Sequence, residues 1–232
     1  MFIRQVKYSK DNLGYLIYST SEGIAIDAGG VEDILSFAEK NHIRIKYVSN
    51  THFHHDHTPG NPILLKRTDA QFIDCRQINS DQTIKLDQEI LEIIHTPGHT
   101  EDSVTFKTHE FMVTGDTLFN GTIGNCFTGD LKVFFSSLKR LISFSGNTRI
   151  YGGHDYVIES MEIAKTIEKD NPDIGEYLKK YNPLLIVSTL DDELRANPYI
   201  RFNAPNMINN LKKRNLPANT EFERFKSIME NY

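Results

Sequence analysis

One loop constrains the fold of this chain more than any other feature. Within the stretch Thr51–His57 it carries four side chains that bind metal ions well, namely His52, His54, Asp56 and His57. The alternating segment Ile43–Val48 precedes the loop and predicts a strand that ends where the loop begins. A loop at a strand end can turn neighbouring side chains toward one point, which a regular helix cannot do at this spacing. Neutral imidazoles with a carboxylate suit zinc or a similar ion, so the loop predicts a metal centre.

Three later segments end in the same manner. Strand-like runs over Glu89–Ile94, Phe111–Val113 and Ile150–Tyr151 each lead into a glycine and then a ligand-type residue, in turn His99, Asp116 and His154. Glycine allows a sharp exit from a strand and a close approach of backbone segments. The repeated pattern predicts that these three side chains point into the same site as the first loop.

The order of these motifs resembles that of the metallo-β-lactamase superfamily over roughly residues 10 to 205. In its two-metal members one ion takes the equivalents of His52, His54 and His99. The second takes those of Asp56, His57 and His154, and the equivalent of Asp116 bridges the pair. The resemblance therefore implies two divalent ions per chain, with zinc favoured over iron or manganese. His55 lies inside the motif, but its side chain is expected to point away from the metals.

The resemblance also implies an αββα metallo-β-lactamase sandwich over residues 1–157, with a helical C-terminal substrate-binding region over residues 158–232 packed across the metal cleft. Further strand-like runs occur at Gly14–Tyr18, Gly23–Asp27 and Ser103–Lys107. Helical periodicity covers Val31–Lys40, Asp130–Phe144 with Asp130 as its cap, Glu159–Lys169, Ile174–Tyr181 and Glu221–Tyr232.

Two motifs in the C-terminal region indicate a subfamily. The sequences Ser188-Thr189-Leu190 and Asn197-Pro198-Tyr199-Ile200-Arg201 resemble those of glyoxalase II, the hydroxyacylglutathione hydrolases. That resemblance implies hydrolysis of a small-molecule thioester by water activated at the metals. Asp56 would be both a ligand and the hydrogen-bond acceptor that orients the nucleophile, and Asp116 would set the spacing of the ions.

The residues expected to bind the substrate depart from the family pattern. Asn125 and Phe127 stand where glyoxalase II has a Lys and a Tyr that hold the glycine carboxylate of glutathione. Arg224 and Lys226 are out of register with the family's C-terminal Arg and Lys. Among the thiol-binding residues only Tyr156 is retained, so we expect a thiol carrier other than glutathione or weak binding of glutathione itself.

Composition limits the partners. The net charge of −5 argues against a nucleic-acid substrate, and no apolar run approaches membrane-spanning length. No charged-then-apolar leader is visible, and Cys75 and Cys126 are expected to be free thiols, which is typical of a cytoplasmic protein. We expect a monomer or a small homo-oligomer.

Two other functions fit parts of the pattern. A mononuclear-iron persulfide dioxygenase would use only His52, His99 and Asp116 as ligands. A non-catalytic scaffold would bind a partner through the cleft, although such proteins usually lose ligands and this chain keeps all seven. Metal content separates the three readings: two ions favour hydrolysis, one iron with oxygen uptake favours the dioxygenase, and no metal favours the scaffold.

Overall fold

Two mixed β-sheets form the centre of the molecule in a computed structural model that describes residues 1–232. The first sheet has the order β1-β2-β3-β4-β5, from β1 (Phe2–Tyr8), β2 (Asn12–Tyr18), β3 (Glu22–Ile26), β4 (Arg44–Ser49) and β5 (Gln71–Ile73). Strands β1 to β3 are antiparallel neighbours, whereas β3, β4 and β5 run parallel. Helix α1 (Val31–Lys40) makes the crossover between β3 and β4, and α2 (Asn61–Arg67) makes that between β4 and β5.

The second sheet has the order β11-β10-β9-β8-β7-β6. Its strands are β6 (Gln82–Leu86), β7 (Glu89–His95), β8 (Val104–Lys107), β9 (Phe111–Gly115), β10 (Arg149–Gly152) and β11 (Ser188–Thr189). Only β9 and β10 are parallel, and α3 (Leu131–Leu141) lies in the connection between them. Asp130 caps α3 by accepting hydrogen bonds from the amides of Lys132 and Val133, both 3.0 Å long.

Side-chain alternation builds three apolar layers. On β2, Leu13, Tyr15 and Ile17 face the core between the two sheets, whereas Leu16 faces the outer layer under α1 and α2. On the other side, Met112 and Ile150 of the second sheet pack under α3 and the C-terminal helices. The result is a helix–sheet–sheet–helix sandwich, which confirms the predicted fold class.

The C-terminal region is mainly helical. It contains α4 (Val157–Ile167), α5 (Asp173–Lys180), α6 (Leu190–Ala196), α7 (Pro205–Lys213) and α8 (Glu221–Asn231). Phe225 of α8 packs on Phe134 and Phe135 of α3, with ring centroids 6.3 and 5.2 Å apart. The same region supplies β11, the edge strand beside β10. None of the helices has the length and apolarity needed to span a bilayer.

Most predicted elements lie within two or three residues of the observed ones, and the helix over Val31–Lys40 is confirmed at both ends. Helix α3 ends at Leu141 and not at Phe144, because the amides of Ser143 and Phe144 bond to the carbonyl oxygens three residues back, and not four. Both cysteines are free, as expected. The division at residues 157 and 158 stays a prediction.

Candidate metal centre and pocket

Four strand ends place the predicted ligands at one edge of the sandwich. The loop after β4 carries His52 and His54, and its short 3-10 turn, His55–His57, holds His57. His99, Asp116 and His154 follow β7, β9 and β10 respectively.

The side chains form two groups, one of His52, His54, His99 and Asp116 and the other of Asp56, His57 and His154, with ligand atoms within 4.8 Å of one another in each group. His55 belongs to neither group and is exposed.

Ring nitrogens face one another across the centre of each group. His54 Nδ1 lies 2.9 Å from His52 Nε2 and 3.2 Å from His99 Nε2. In the other group, His57 Nε2 lies 3.2 Å from His154 Nε2. Neutral imidazoles whose lone pairs converge at such distances repel each other unless a proton or a metal ion lies between them.

The outer nitrogen of three rings is held by an oxygen acceptor. Nδ1 of His99 lies 2.9 Å from the carbonyl oxygen of Asn125, and Nδ1 of His154 lies 2.9 Å from a carboxylate oxygen of Asp11. Nδ1 of His57 lies 3.0 Å from a carboxylate oxygen of Asp27. Each of these nitrogens must carry the proton, so the Nε2 lone pair points into the cluster, as metal ligation requires.

Asp27 fixes the tautomer of His52 through a threonine. The Thr51 hydroxyl donates to Asp27 at 2.6 Å, and the Thr51 amide donates to the other carboxylate oxygen at 2.8 Å. Since its hydrogen is committed to Asp27, the Thr51 hydroxyl oxygen accepts from Nδ1 of His52 at 3.1 Å. The buried Asp27 therefore orients rings in both ligand groups.

Asp116 lies between the two groups. Its Oδ1 is 3.5 Å from His57 Nε2, and its Oδ2 is 3.6 Å from both His99 Nε2 and His154 Nε2. Oδ1 is buried and has no hydrogen-bond partner. Burial opposes ionisation of this carboxyl, but the neighbouring histidines, His57 first, outweigh it and hold the pKa of Asp116 below its usual range. An ionised, buried oxygen without a donor is costly, and a bound cation removes that cost.

The histidines differ in charge preference. Burial, with help from the other imidazoles, lowers the pKa of His52 to about 2, so this ring is neutral and free to bind a metal. Burial also lowers the pKa of His57, but the carboxylates of Asp27 and Asp116 more than offset it and raise that pKa well above its usual value. The second group thus attracts a positive charge, whether a proton or a metal ion.

Glycines leave room for the cluster. A Cβ at Gly153 would lie 2.1 Å from Asp116 Oδ1 and 2.9 Å from Cε1 of His57. Gly115 has φ +51°, and a Cβ there would lie 2.3 Å from the Thr51 hydroxyl oxygen. Only glycine fits at both positions, which explains the glycines before Asp116 and His154. The inward lone pairs, the partnerless oxygen and this space together fit a divalent metal site.

A pocket of about 390 Å³ opens above the cluster. Its lining consists of His54, Asp56, His99, Asp116, Phe119, Thr122, Ile123, Gly124, Asn125, Phe127, His154, Tyr156, Glu159, Ser160 and Ile163. All three residues predicted to bind substrate are in this lining. Tyr156 stacks on His154 with ring centroids 4.9 Å apart and planes 3° apart. Phe127, which is 65% exposed, packs edge-on against His54 and His99.

Residues of the C-terminal motifs support the loop around Gly121, which contributes to the pocket lining. The carboxylate of Glu193, fully buried, accepts hydrogen bonds from the amide of Gly121, the hydroxyls of Tyr177 and Ser188, and the amide group of Asn197. Gly121 precedes Thr122 and Ile123 of the pocket lining. The two tail motifs therefore fix the loop that shapes the pocket.

Sequence reasoning missed the supporting residues Asp11, Asn12, Asp27 and Glu193. Asn12 donates to Asp56 Oδ2 at 2.9 Å and so orients that carboxylate. One local signal was available for Asp27, which directly follows β3 as Asp116 directly follows β9. The others are fixed by contacts across the fold that no local pattern records.

Known proteins match this chain along most of its length. Residues 155–231 match the family described as "Hydroxyacylglutathione hydrolase C-terminus", and residues 12–73 match the metallo-beta-lactamase superfamily. A hydroxyacylglutathione hydrolase from Pelagibacter ubique is 31% identical over 223 residues, which cover 87% of this chain and 93% of that protein. One from Pseudoalteromonas translucida is 28% identical over 229 residues, covering 91% and 89%.

Among solved structures, ETHE1 from Myxococcus xanthus shares the fold with a TM-score of 0.72 at 24% identity, covering 100% of this chain and 91% of that one. A metallo-beta-lactamase from Staphylococcus aureus has a TM-score of 0.70 at 18% identity, covering 100% and 67%. The sequence relationship is the more specific of the two. This chain belongs to the hydroxyacylglutathione hydrolase family of the metallo-beta-lactamase superfamily.

Proposed function

We propose that this protein hydrolyses small-molecule thioesters of hydroxy acids in the pocket above the His/Asp cluster. The observation that carries the proposal is Asp116, an ionised and buried carboxylate that faces both ligand groups and has an oxygen without a donor. The curated relatives named hydroxyacylglutathione hydrolase supply the substrate class.

The ligand assignment follows the two groups. We assign His52, His54 and His99 to one divalent ion and Asp56, His57 and His154 to a second, with Asp116 shared between them and zinc as the favoured metal. The support for sharing is that Oδ1 of Asp116 faces His57, whereas Oδ2 faces His99 and His154. Two ions in these positions would lower the pKa of a water molecule and polarise an acyl carbonyl group.

The chain's own residues orient the reactants. Asn12 holds Asp56, whose side chain is 51% exposed to the pocket and accepts a hydrogen bond from the attacking water. Tyr156 is fixed by its stack on His154 and by Phe119, whose ring centroid lies 5.3 Å away. Burial raises the pKa of Tyr156 to about 12, so its hydroxyl remains a hydrogen-bond donor to the substrate at neutral pH.

The balanced reaction needs no further reactant. The water oxygen forms a bond to the acyl carbon, the C–S bond breaks, and a hydroxy acid and a thiol leave. A thiolate is a good leaving group, since ordinary thiols have a pKa of about 8.5, so no protein acid has to protonate it. Asn125 and Phe127 line the pocket, and we assign them to contacts with the thiol carrier.

The test is hydrolysis of S-lactoylglutathione and other hydroxyacyl thioesters by protein of measured metal content. We expect two divalent ions per chain and thiol release that disappears when the metals are removed and returns when zinc is added. A single iron with oxygen uptake would instead favour the persulfide dioxygenase, and a chain that binds no metal would favour the scaffold.

A further inference from the structure

The outer wall of the pocket carries one negatively charged side chain and no positively charged one. One side of the wall is formed by Tyr156, Glu159, Ser160 and Ile163, at and after the start of α4. Their spacing of three or four residues places them on one face of the helix. Phe127 forms part of the other side and is 65% exposed, Ile163 is 39% exposed, and Glu159 is also exposed.

Glu159 is the only charged side chain in this wall. No Lys or Arg lines the pocket, and the other ionisable lining residues, Tyr156 apart, belong to the His/Asp cluster at the floor. The carboxylate of Glu159 has no ion-pair partner, although Glu162 on the next turn pairs with Lys165 at 2.6 Å. A carboxylate group in a bound molecule would therefore meet repulsion and no compensating cation along this wall.

The cations of the last helix are occupied elsewhere. Arg224 donates to the carbonyl oxygens of Ala218 and Asn219 and to the side chain of Asn203. Lys226 lies 3.5 Å from Glu230 on the surface. Neither side chain lines the pocket.

We propose that the thiol carrier bears an ammonium group, which Glu159 recognises, and no carboxylate. The inference rests on the proposed function, because a thioester whose carbonyl reaches the His/Asp cluster must place the rest of its carrier along the outer wall. The methylene groups of such a carrier fit against Ile163 and Phe127, and its positive charge lies beside Glu159.

The test compares three thioesters of one 2-hydroxy acid. Their thiols are thiocholine, which has a quaternary ammonium group, 3,3-dimethylbutane-1-thiol, which has the same shape without charge, and 3-sulfanylpropanoate, which has a carboxylate. The quaternary ammonium group cannot capture the acyl group, so the thioester stays intact. Released thiol is measured with a chromogenic disulfide on the zinc-loaded protein and on Glu159→Gln, Glu159→Lys and the control Glu162→Gln.

We expect kcat/KM to be two- to fivefold higher for the thiocholine ester than for the neutral ester, roughly the value of one partly exposed ion pair. The carboxylate ester should be slower than the neutral one by a similar factor. Glu159→Gln should remove these differences, Glu159→Lys should reverse their order, and Glu162→Gln should preserve them. The changes should lie mainly in KM and shrink in 0.5 M salt.

Equal rates for the three esters, or an order that Glu159→Lys leaves unchanged, would overturn the assignment of Glu159 while leaving the thioesterase intact. Faster hydrolysis of the carboxylate ester by the natural protein would overturn the charge argument in the same way. Failure to hydrolyse any of the three, and S-lactoylglutathione as well, would instead contradict the proposed function itself.

Discussion

The clearest structural perturbation of the metal centre is Gly153→Ala. The backbone of Gly153 does not have a positive φ, and its amide and carbonyl bond to Gly115 and Leu13 through main-chain atoms that alanine keeps. The added Cβ would lie 2.1 Å from Asp116 Oδ1. The same Cβ would lie 2.9 Å from Cε1 of His57, so the substitution tests the space that these two predicted ligands need while it keeps the backbone hydrogen bonds.

The carboxylate has to retreat by about 1.3 Å to lengthen this contact from 2.1 Å to an ordinary van der Waals distance of 3.4 Å. Metal–ligand distances tolerate shifts of only about 0.2 Å. We expect metal affinity to fall by about 100-fold or more. Loss of a residue that only supports a ligand typically lowers metal affinity by about 10- to 100-fold, and here the ligand itself is displaced. A 100-fold change corresponds to about 2.7 kcal/mol.

The assay is a competition titration with a chromophoric zinc chelator, together with metal analysis and circular dichroism to check the fold. Gly175→Ala is the matched control, because a Cβ at Gly175 in α5 meets no atom within 4 Å. That control should bind metal normally and gain about 0.5–1 kcal/mol of folding stability. Unchanged zinc affinity in a folded Gly153→Ala protein would refute the placement of Asp116 at a ligand position.

Three more predictions concern metal content, stability and substrate. Asp116→Ala should lose both ions or most of their affinity while His55→Ala keeps both, and equal losses on metal analysis would contradict the ligand assignment. Burial raises the pKa of Glu193, so its contribution to stability is complete below the unfolded pKa of 4.5 and is lost as pH rises through the folded pKa. Glu193→Gln places an amide donor against the donors that surround the natural carboxyl group, so it should lower the free energy of unfolding by about 1–3 kcal/mol. Because the contribution of Glu193 falls as pH rises, urea titrations should show a larger loss at pH 5 than at pH 8. The opposite pH trend would contradict the direction of the pKa shift. In steady-state assays, Asn125→Lys combined with Phe127→Tyr should lower KM for S-lactoylglutathione more than it changes kcat. Saturation of the natural protein at micromolar concentrations of this substrate would contradict the reasoning.

The sequence identified the edge of the sheets that holds the cluster because ligand chemistry is local. A His or Asp directly after a strand and a glycine records both the side chain and the direction in which the backbone exits. The structure brings the seven predicted ligands together at that edge. Their roles at the metals remain predictions until ions are measured.

Elements with weak local signals were not predicted. Strands β5 and β6 are short, and most of their side chains are exposed or only partly buried, so they lack a clear apolar alternation. Helices α2 and α7 have Pro62 and Pro205 in their first turns, where proline is compatible with a helix although it interrupts periodicity. Helix α6 lies between the two C-terminal motifs and begins at Leu190, the last residue of the Ser-Thr-Leu motif. The family resemblance there indicated function but not conformation.

The buried acceptors could not be predicted because their partners are distant in sequence. Asp27 contacts Thr51 and His57, and Glu193 accepts from Gly121, which lies 72 residues earlier. From the sequence alone, each of these acidic residues is expected to be exposed to solvent. Burial of its carboxyl group without hydrogen-bond donors would cost too much free energy, and the donors come from distant parts of the chain. Glu159 differs from both of them. Its carboxylate is exposed on the pocket wall in the first turn of α4, where water and the helix N-terminus stabilise its charge. No cationic side chain pairs with it, so it is available to a cationic ligand in the pocket.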